Sequence, residues 1–487
     1  MRITNADTLT SHGHVAGRKA ALAILEAGLQ AADPYYNVLR LLKLEGRALI
    51  VGNRDFEPEG SPYFGQDQVF DLDRIERIFV VGAGKGSQRA AKAFEDVLGD
   101  RLTGGVIIAK HDDPLELERI EVVYGAHPVP DEGCVRGCQR ILELARTLTP
   151  RDLVFTIAGN GVSALLTLPV PGVSLEDIRQ ITYMMQIEHG ASTGDLNPVR
   201  NNLDQMKGGK ISRYLRPATV SHLVLADPSG LMNSSPTPYE DLMTKNRWLH
   251  NLPDATSYEQ AIAMLKKHDC WERASAAARA FLEKADPAWE TVRRAEFESW
   301  GDRIYGMMPY ELGMLPTAEA KARELGFTPH CMTSFLHAEA REVGVVYAAI
   351  ADNCAREGKP FQPPLAMISG GELLVTVGNE NGVGGRNQEF CLSAAVKIAG
   401  NPRIVIGGVD SDGTDGPGTQ FSEYKDIPCL AGAIVDGYTL AEAQAAGVDV
   451  TAELRRHNTT YALWKTGNGV VATHGVSMCD LDVILVL

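Results

Sequence analysis

The feature that most constrains this chain is a recurring pattern. A short apolar, β-branched run ends in a glycine turn, and a helical stretch follows. Its sharpest instance is FVVGAGKGSQRAAKAF, residues 79–94. Related runs are GGVIIAKH (104–111), RIEVVYGAHPVPDEG (119–133), RDLVFTIAGNGVSALLTLP (151–169) and VSHLVLADPSG (220–230), with helical text such as CVRGCQRILELARTL (134–148) between them. Short strands separated by helices predict a parallel, doubly wound sheet, which takes its ligands at the carboxyl ends of its strands. The glycine turns fall at those ends.

The text then changes. Residues 240–355 are helix-rich, and β-runs return from about 363 in PLAMISGGELLVTVGN, PRIVIGGVDSDGTDGPG, NGVVATHG and LDVILVL. The expected fold is α/β with two domains, the first a doubly wound, Rossmann-like parallel sheet over 16–250. A helical connecting region would span 251–362, and a smaller α/β domain with a mixed sheet 363–487.

The first glycine turn is not a P-loop. Counting back from Gly84 and Lys85, Phe79 stands where the first glycine belongs, and Gly86 stands where a hydroxyl should meet magnesium. Gly82, Gly84 and Ser87 approximate a dinucleotide fingerprint, but the next strand candidate ends in Lys110 and His111 rather than a ribose-binding acid. What remains is a strand, a glycine turn and a helix N-terminus with Lys85 at its tip, which suits an anion. From this stretch alone, an anion site and a plain strand-to-helix turn both stay open.

Other loops share the style. AGNGVSALL offers Asn160, Ser163 and backbone N–H groups; NPVRNNLDQMKGGK brings Arg200, Lys207 and Lys210 close to Gly208 and Gly209, a phosphate or carboxylate pocket or else a basic helix end. In the second half, ISGGELL presents Gly370, Gly371 and Glu372, and GGRNQEF presents Arg386 and Asn387 before a helix. DSDGTDGPG places Asp410, Asp412 and Asp415 on one turn, without the full EF-hand register. Three carboxylates there suit Mg²⁺ with phosphate, or a solvated acidic turn. Lysine, arginine and Mg²⁺ together suggest phosphoryl transfer.

Net charge is −15, which argues against nucleic acid or an anionic membrane as partner. No run of about 18 apolar residues occurs, so no membrane span is expected. The eight cysteines are scattered without zinc spacing, so reduced thiols and a cytoplasmic location are expected. A homodimer is left open.

In order, EAGLQAADPYYNV, VVGAGKG, HPVPDEG, AGNGVSALLTLP, LNPVRNNLDQMKGGK, HAEARE, ISGGELLVTV, GGRNQEF, DGTDGP, AGAIVDG and DLDVILVL resemble the glycerate 2-kinases, which carry a MOFRL domain at the C-terminus. The resemblance covers nearly all of residues 16–487. It implies ATP-dependent phosphorylation of D-glycerate to 2-phosphoglycerate with Mg²⁺, in a cleft between two α/β domains. It maps the family's functional lysine onto Lys85 and its functional arginine onto Arg386. Some relatives carry the label hydroxypyruvate reductase. The loops at 158–164, 226–237 and 473–481 depart from the family pattern, with Asn160 and His474 as added polar residues. A related sugar acid such as a tetronate is therefore an alternative substrate; a reductase and a non-catalytic sugar-acid binder are the other readings.

Overall fold

In a computed structural model, the described residues are 1–111, 115–226, 238–308, 313–378, 380–416, 419, 424–473, 475 and 479–487. Most of the altered loop at 226–237, and His474, lie outside them. The chain forms two compact units: Pro34–Tyr310, and a second assembled from Met1–Asp33 with Glu311–Leu487. The segment expected to connect two domains, 251–362, is divided between these units.

The unit Pro34–Tyr310 opens with a small antiparallel sheet of β1 (Leu42–Glu45), β2 (Ala48–Val51) and β3 (Gln68–Asp71). Its main sheet contains β4 (Arg77–Ala83), β5 (Gly104–Lys110), β6 (Ile120–Gly125), β7 (Asp152–Ala158), β8 (Thr219–Val224) and β9 (Arg303–Gly306). The spatial order is β6-β5-β4-β7-β8-β9 and every pairing is parallel. Counted from β4, this is the 3-2-1-4-5-6 order of doubly wound dinucleotide folds. β7 is buried along its whole length, as befits a parallel strand covered on both faces. On the helix Glu132–Ala145, Cys134, Cys138, Ile141 and Ala145 form the apolar stripe that joins this core. The strand order reverses between β4 and β7, so a crevice opens beyond Ala83 and Ala158.

The second unit holds the expected mixed sheet. Its strands are β10 (Thr328–Leu336), β11 (Leu365–Gly371), β12 (Ile404–Asp410), β13 (Gly432–Asp436), β14 (Gly469–Val470) and β15 (Asp480–Val486), in the order β10-β11-β15-β12-β13-β14. β10 and β11 run parallel, and the remaining pairs are antiparallel. β9 and β10 fall in the stretch that reads as helix-rich. β9 is four residues long, and β10 is an edge strand containing a proline and lacking any fully buried residue. Neither needs the apolar pattern that marks a central strand. Among the described residues no helix is long and apolar enough to cross a membrane.

The helix Val15–Ala31 completes this second unit from the far end of the sequence. Arg18 donates from Nε to Asp436 Oδ2 at 2.6 Å and from Nη2 to Asn468 Oδ1 at 2.7 Å, and also reaches the carbonyls of Leu9 and Ile434. Both charged side chains are fully buried. Burial works to raise the Asp436 pKa, but the Arg18 guanidinium outweighs it and holds the carboxyl below its usual range. Arg18→Ala would leave that carboxylate buried without its cation, a loss of about 3–5 kcal/mol. Urea unfolding should show this as a lowered midpoint. Arg18→Lys should fall between, because an ammonium keeps the charge but not the planar fork.

Candidate functional site

At the carboxyl ends of β4 and β7 the two glycine loops touch. Gly159 N donates to Ala83 O at 3.0 Å, and Lys85 N donates to Asn160 O at 2.7 Å. A methyl group on Gly84 would lie 2.6 Å from Gly159 Cα, and Gly84 has φ of +132°. Only glycine satisfies both conditions. The chain then turns through Gly86 into the helix Ser87–Leu98 and leaves Lys85 at the tip. Its ammonium has no hydrogen bond or ion pair among the described residues.

Cations gather at this crevice. His127 stands over the second loop, with its Cδ2 3.0 Å from where a methyl on Gly161 would lie. Burial, then the charges of Lys85, Lys110 and Arg200, push the His127 pKa down to about 4. One imidazole therefore senses Lys85 from the β4 turn, Lys110 from the end of β5, and Arg200 from the helix Thr193–Asn202. Arg200 is 6% exposed, and its hydrogen bond among the described residues is from Nη2 to Gln186 Oε1 at 3.2 Å, with no acid partner. Burial pulls its pKa down to about 10. A buried guanidinium without a carboxylate is costly, and an anionic ligand would match it. Ser163 Oγ lies 2.8 Å from Nε2 of His250. Burial, then Lys207, Arg200 and Lys210, hold His250 well below its ordinary pKa, so it is neutral.

The rest of the KGGK stretch is committed to the fold rather than presented to a ligand. Lys207 is buried and donates to Asp204 Oδ2 at 2.7 Å and Thr167 Oγ1 at 2.8 Å. Lys210 donates to the carbonyls of Asn201 (2.7 Å) and Trp289 (3.2 Å), and burial lowers its pKa to about 7. Gly208 packs on Thr291, and Gly209 on Val292. Lys207, Gly208, Gly209 and Lys210 are thus internal packing, and Arg200 is the cation of this stretch without an acid partner among the described residues.

A second cluster forms in the other unit, where Asp410 of β12 pairs in register with Asp480 of β15. Arg386 begins the helix Arg386–Lys397. Its Nε donates to both oxygens of Asp480 at 2.9 Å, its Nη2 to Asp410 Oδ2 at 2.6 Å, and its Nη1 to Glu372 Oε1 at 3.4 Å. Burial works against its charge, but Asp480 and Asp410 outweigh that and raise its pKa. Its fork is thus occupied by protein carboxylates. The helix N-terminus is occupied as well: Asp415 accepts from the backbone of Asn387 at 3.2 Å and of Gln388 at 2.9 Å. The Asn387 side chain donates to Asp480 Oδ1 at 2.8 Å and to Asp415 Oδ1 at 3.2 Å.

The three expected metal ligands have separate tasks. Asp410 pairs with Arg386, Asp415 caps the helix, and Asp412 Oδ1 accepts from Thr414 N and Oγ1 at 2.8 Å. Among the described residues no group of three or more His, Cys, Asp or Glu side chains could hold a metal ion. Asp410, Asp412 and Asp415 therefore do not converge as one set of three ligands. The tight turn aims their carboxylates at a guanidinium, a turn and a helix end. Gly370 packs on Leu315, and Gly371 on the backbone of Leu336, so neither cradles a ligand. A cavity of about 340 Å³ beside them is lined by Glu372, Leu373, Gly384, Gly385, Arg386 and Glu389, among others.

Residues 20–283 match a domain of unknown function, DUF4147, and residues 365–479 match the MOFRL family. The chain is 31% identical over 458 residues to a glycerate 2-kinase of Pyrococcus horikoshii, covering 92% of each chain. The chain belongs to the glycerate 2-kinase family. It is 32% identical over 421 residues to a D-glycerate 2-kinase of Thermotoga maritima, covering 85% of this chain and 91% of the relative. A crystal structure of a Thermotoga maritima glycerate kinase matches with a TM-score of 0.72 at 29% identity, covering 96% of this chain and 99% of that one.

In this glycerate 2-kinase family member, the loop motifs already single out Gly84, Lys85, Asn160, Ser163 and Arg200 as candidates. They do not single out His127, Lys110, His250 or Asp480. His127 and Asp480 lie inside the motifs HPVPDEG and DLDVILVL, so motif membership was their signal. Lys110 and His250 carry none, because only the sheet order and a buried hydrogen bond bring them in. The acid cluster makes a testable demand. Arg386→Met would strand Asp480 and Asp410, costing about 3 kcal/mol. Burial raises Asp410 to about 8 and Asp415 to about 6, so the cluster takes up protons as pH falls. An uncharged acid no longer needs the arginine. The melting-temperature gap between variant and wild type should therefore be larger at about pH 9 than at about pH 5.

Proposed function

We propose that this chain transfers the terminal phosphoryl group of ATP to the 2-hydroxyl of D-glycerate, giving 2-phosphoglycerate and ADP. The observation that carries the reading is Lys85 at the tip of the β4 glycine turn, with Lys110 ending the neighbouring strand β5 and buried Arg200 lacking an acid partner among the described residues. Phosphoryl transfer demands charge neutralisation and in-line positioning more than a reactive side chain. Arg200 presents a planar fork to the glycerate carboxylate. Lys85, without a partner among the described residues, neutralises charge on the transferring group. Ser163, held by neutral His250, offers a hydroxyl contact to the substrate. Arg386 acts as a positioning residue that holds Asp410 and Asp480 in place.

ATP carries Mg²⁺ in most kinases, and the ion supplies charge neutralisation. The aspartates of the β12 turn are each engaged by a protein partner, so they offer it no preformed set of three carboxylates. The dinucleotide alternative is opposed by Lys110, which ends the strand that would carry the ribose-binding acid. The scattered, unpaired cysteines support a cytoplasmic location.

The experiment is ADP release on mixing enzyme, ATP and D-glycerate, with erythronate and threonate alongside and NADH oxidation by hydroxypyruvate in parallel. Glycerate-dependent ADP release is expected. Lys85→Ala should lower kcat by about 10²-fold or more, the scale of one preorganised electrostatic group, and leave the melting temperature unchanged. NADH oxidation without ADP release would overturn the reading; wild-type turnover in Lys85→Ala would remove the lysine from it.

A further inference from the structure

We propose that His127 accepts the proton of the substrate hydroxyl as that oxygen attacks phosphorus. This rests on the glycerate kinase reading above and adds a residue to it. Three observations support it. The first is position. The ring follows β6 and stands over Gly161, with Cδ2 3.0 Å and Nε2 3.3 Å from where a methyl on that glycine would lie. Gly161 follows Asn160, whose carbonyl receives Lys85 N. The imidazole is therefore in the crevice.

The second observation is availability. Two fully buried histidines of the same unit are tied down. His222 bonds to Thr156 Oγ1 at 2.8 Å and Asp302 Oδ2 at 3.0 Å, and His250 bonds to Ser163 Oγ. His127 is half-buried, and its ring nitrogens have no hydrogen-bond partner among the described residues. A ring nitrogen is thus open to a ligand.

The third is charge. The groups that act on it are Lys85, Lys110 and Arg200, and all three are cations. Together with burial they keep the imidazole in its free-base form at neutral pH, the form a proton acceptor needs. The same cations make it a weak base until anions arrive. A carboxylate on Arg200 and phosphoryl oxygens near Lys85 cancel those charges and raise its basicity only when both substrates are present. With the carboxylate on Arg200, the adjacent 2-hydroxyl is the one presented.

The step balances. The hydroxyl oxygen forms a bond to the terminal phosphorus, and the bond from that phosphorus to the ADP oxygen breaks with its electron pair going to ADP. The hydroxyl proton passes to the open ring nitrogen. When the anionic product leaves, the three cations expel the proton to water and restore the free base.

The test compares wild type with His127→Ala and His127→Asn, using ATP and D-glycerate. Asparagine can hydrogen-bond the hydroxyl but takes no proton. Both variants should keep the wild-type melting temperature and a glycerate KM within about threefold, while kcat falls by about 10²- to 10⁴-fold. Wild-type activity should be lost as pH falls through the pKa of the base, about 4 in the free enzyme. The acid limb of kcat should lie above that of kcat/KM, because bound anions raise the base. Both limbs should vanish in the variants, and added imidazole should restore turnover to His127→Ala. Wild-type kcat in either folded variant, or reduced kcat with the acid limb intact and no imidazole rescue, overturns the proposal. If wild type itself shows no glycerate-dependent ADP release, the functional reading fails and takes this one with it. If wild type turns over and the variants do too, only the role of His127 fails.

Discussion

The backbone of Gly84 lies against the backbone of Gly159, and the loops after β4 and β7 meet because no side chain stands between them. β4 and β7 are neighbours in register, so their loops leave the sheet side by side. Two backbone hydrogen bonds close the gap, Gly159 N to Ala83 O and Lys85 N to Asn160 O. A side chain at Gly84 would part the loops and break both. With the loops held together, Lys85 and Asn160 sit at their tips beyond the sheet. Everything chemical in the Pro34–Tyr310 unit is arranged around that contact.

The two units handle buried charge in opposite ways. In Pro34–Tyr310, the charges of Lys85, Lys110 and Arg200 all act on the imidazole of His127, and no acid answers Arg200 within the described residues. That arrangement is electrostatically incomplete, which is the state of a site that takes an anion. In the other unit, Arg386 is surrounded by Asp410, Asp480 and Glu372, and Asp415 occupies the adjacent helix end. That arrangement is complete with respect to the arginine, and it fixes where β12, β15 and the helix Arg386–Lys397 meet. Residue type alone does not separate the two cases. An arginine in a glycine-containing motif reads as anion-binding in both, and only the neighbouring carboxylates tell them apart.

The same distinction explains what was legible beforehand. The doubly wound sheet was legible, because β4, β5, β7 and β8 are continuous apolar runs, each followed by a turn signal. The mixed sheet was legible from the return of such runs after 363. β9 and β10 were not, since an edge strand draws its order from its neighbour rather than from its own pattern. The placement of Val15–Ala31 in the second unit was also hidden. Its helical periodicity is plain, but its partner Asp436 lies at the other end of the sequence.

The sequence by itself determined the fold class, the family and the position of Lys85 at a strand-end turn, because these depend on local periodicity and on ordered motifs along the chain. The tertiary structure decided the rest. It made Lys207, Lys210 and Asp415 structural, set Asp410 against Arg386, and gathered His127, Lys110 and Arg200 at one crevice. The physical reason is that a charged side chain's role depends on burial and on which opposite charge lies within a few ångströms. Neither quantity is local in sequence, and here both follow from strand order.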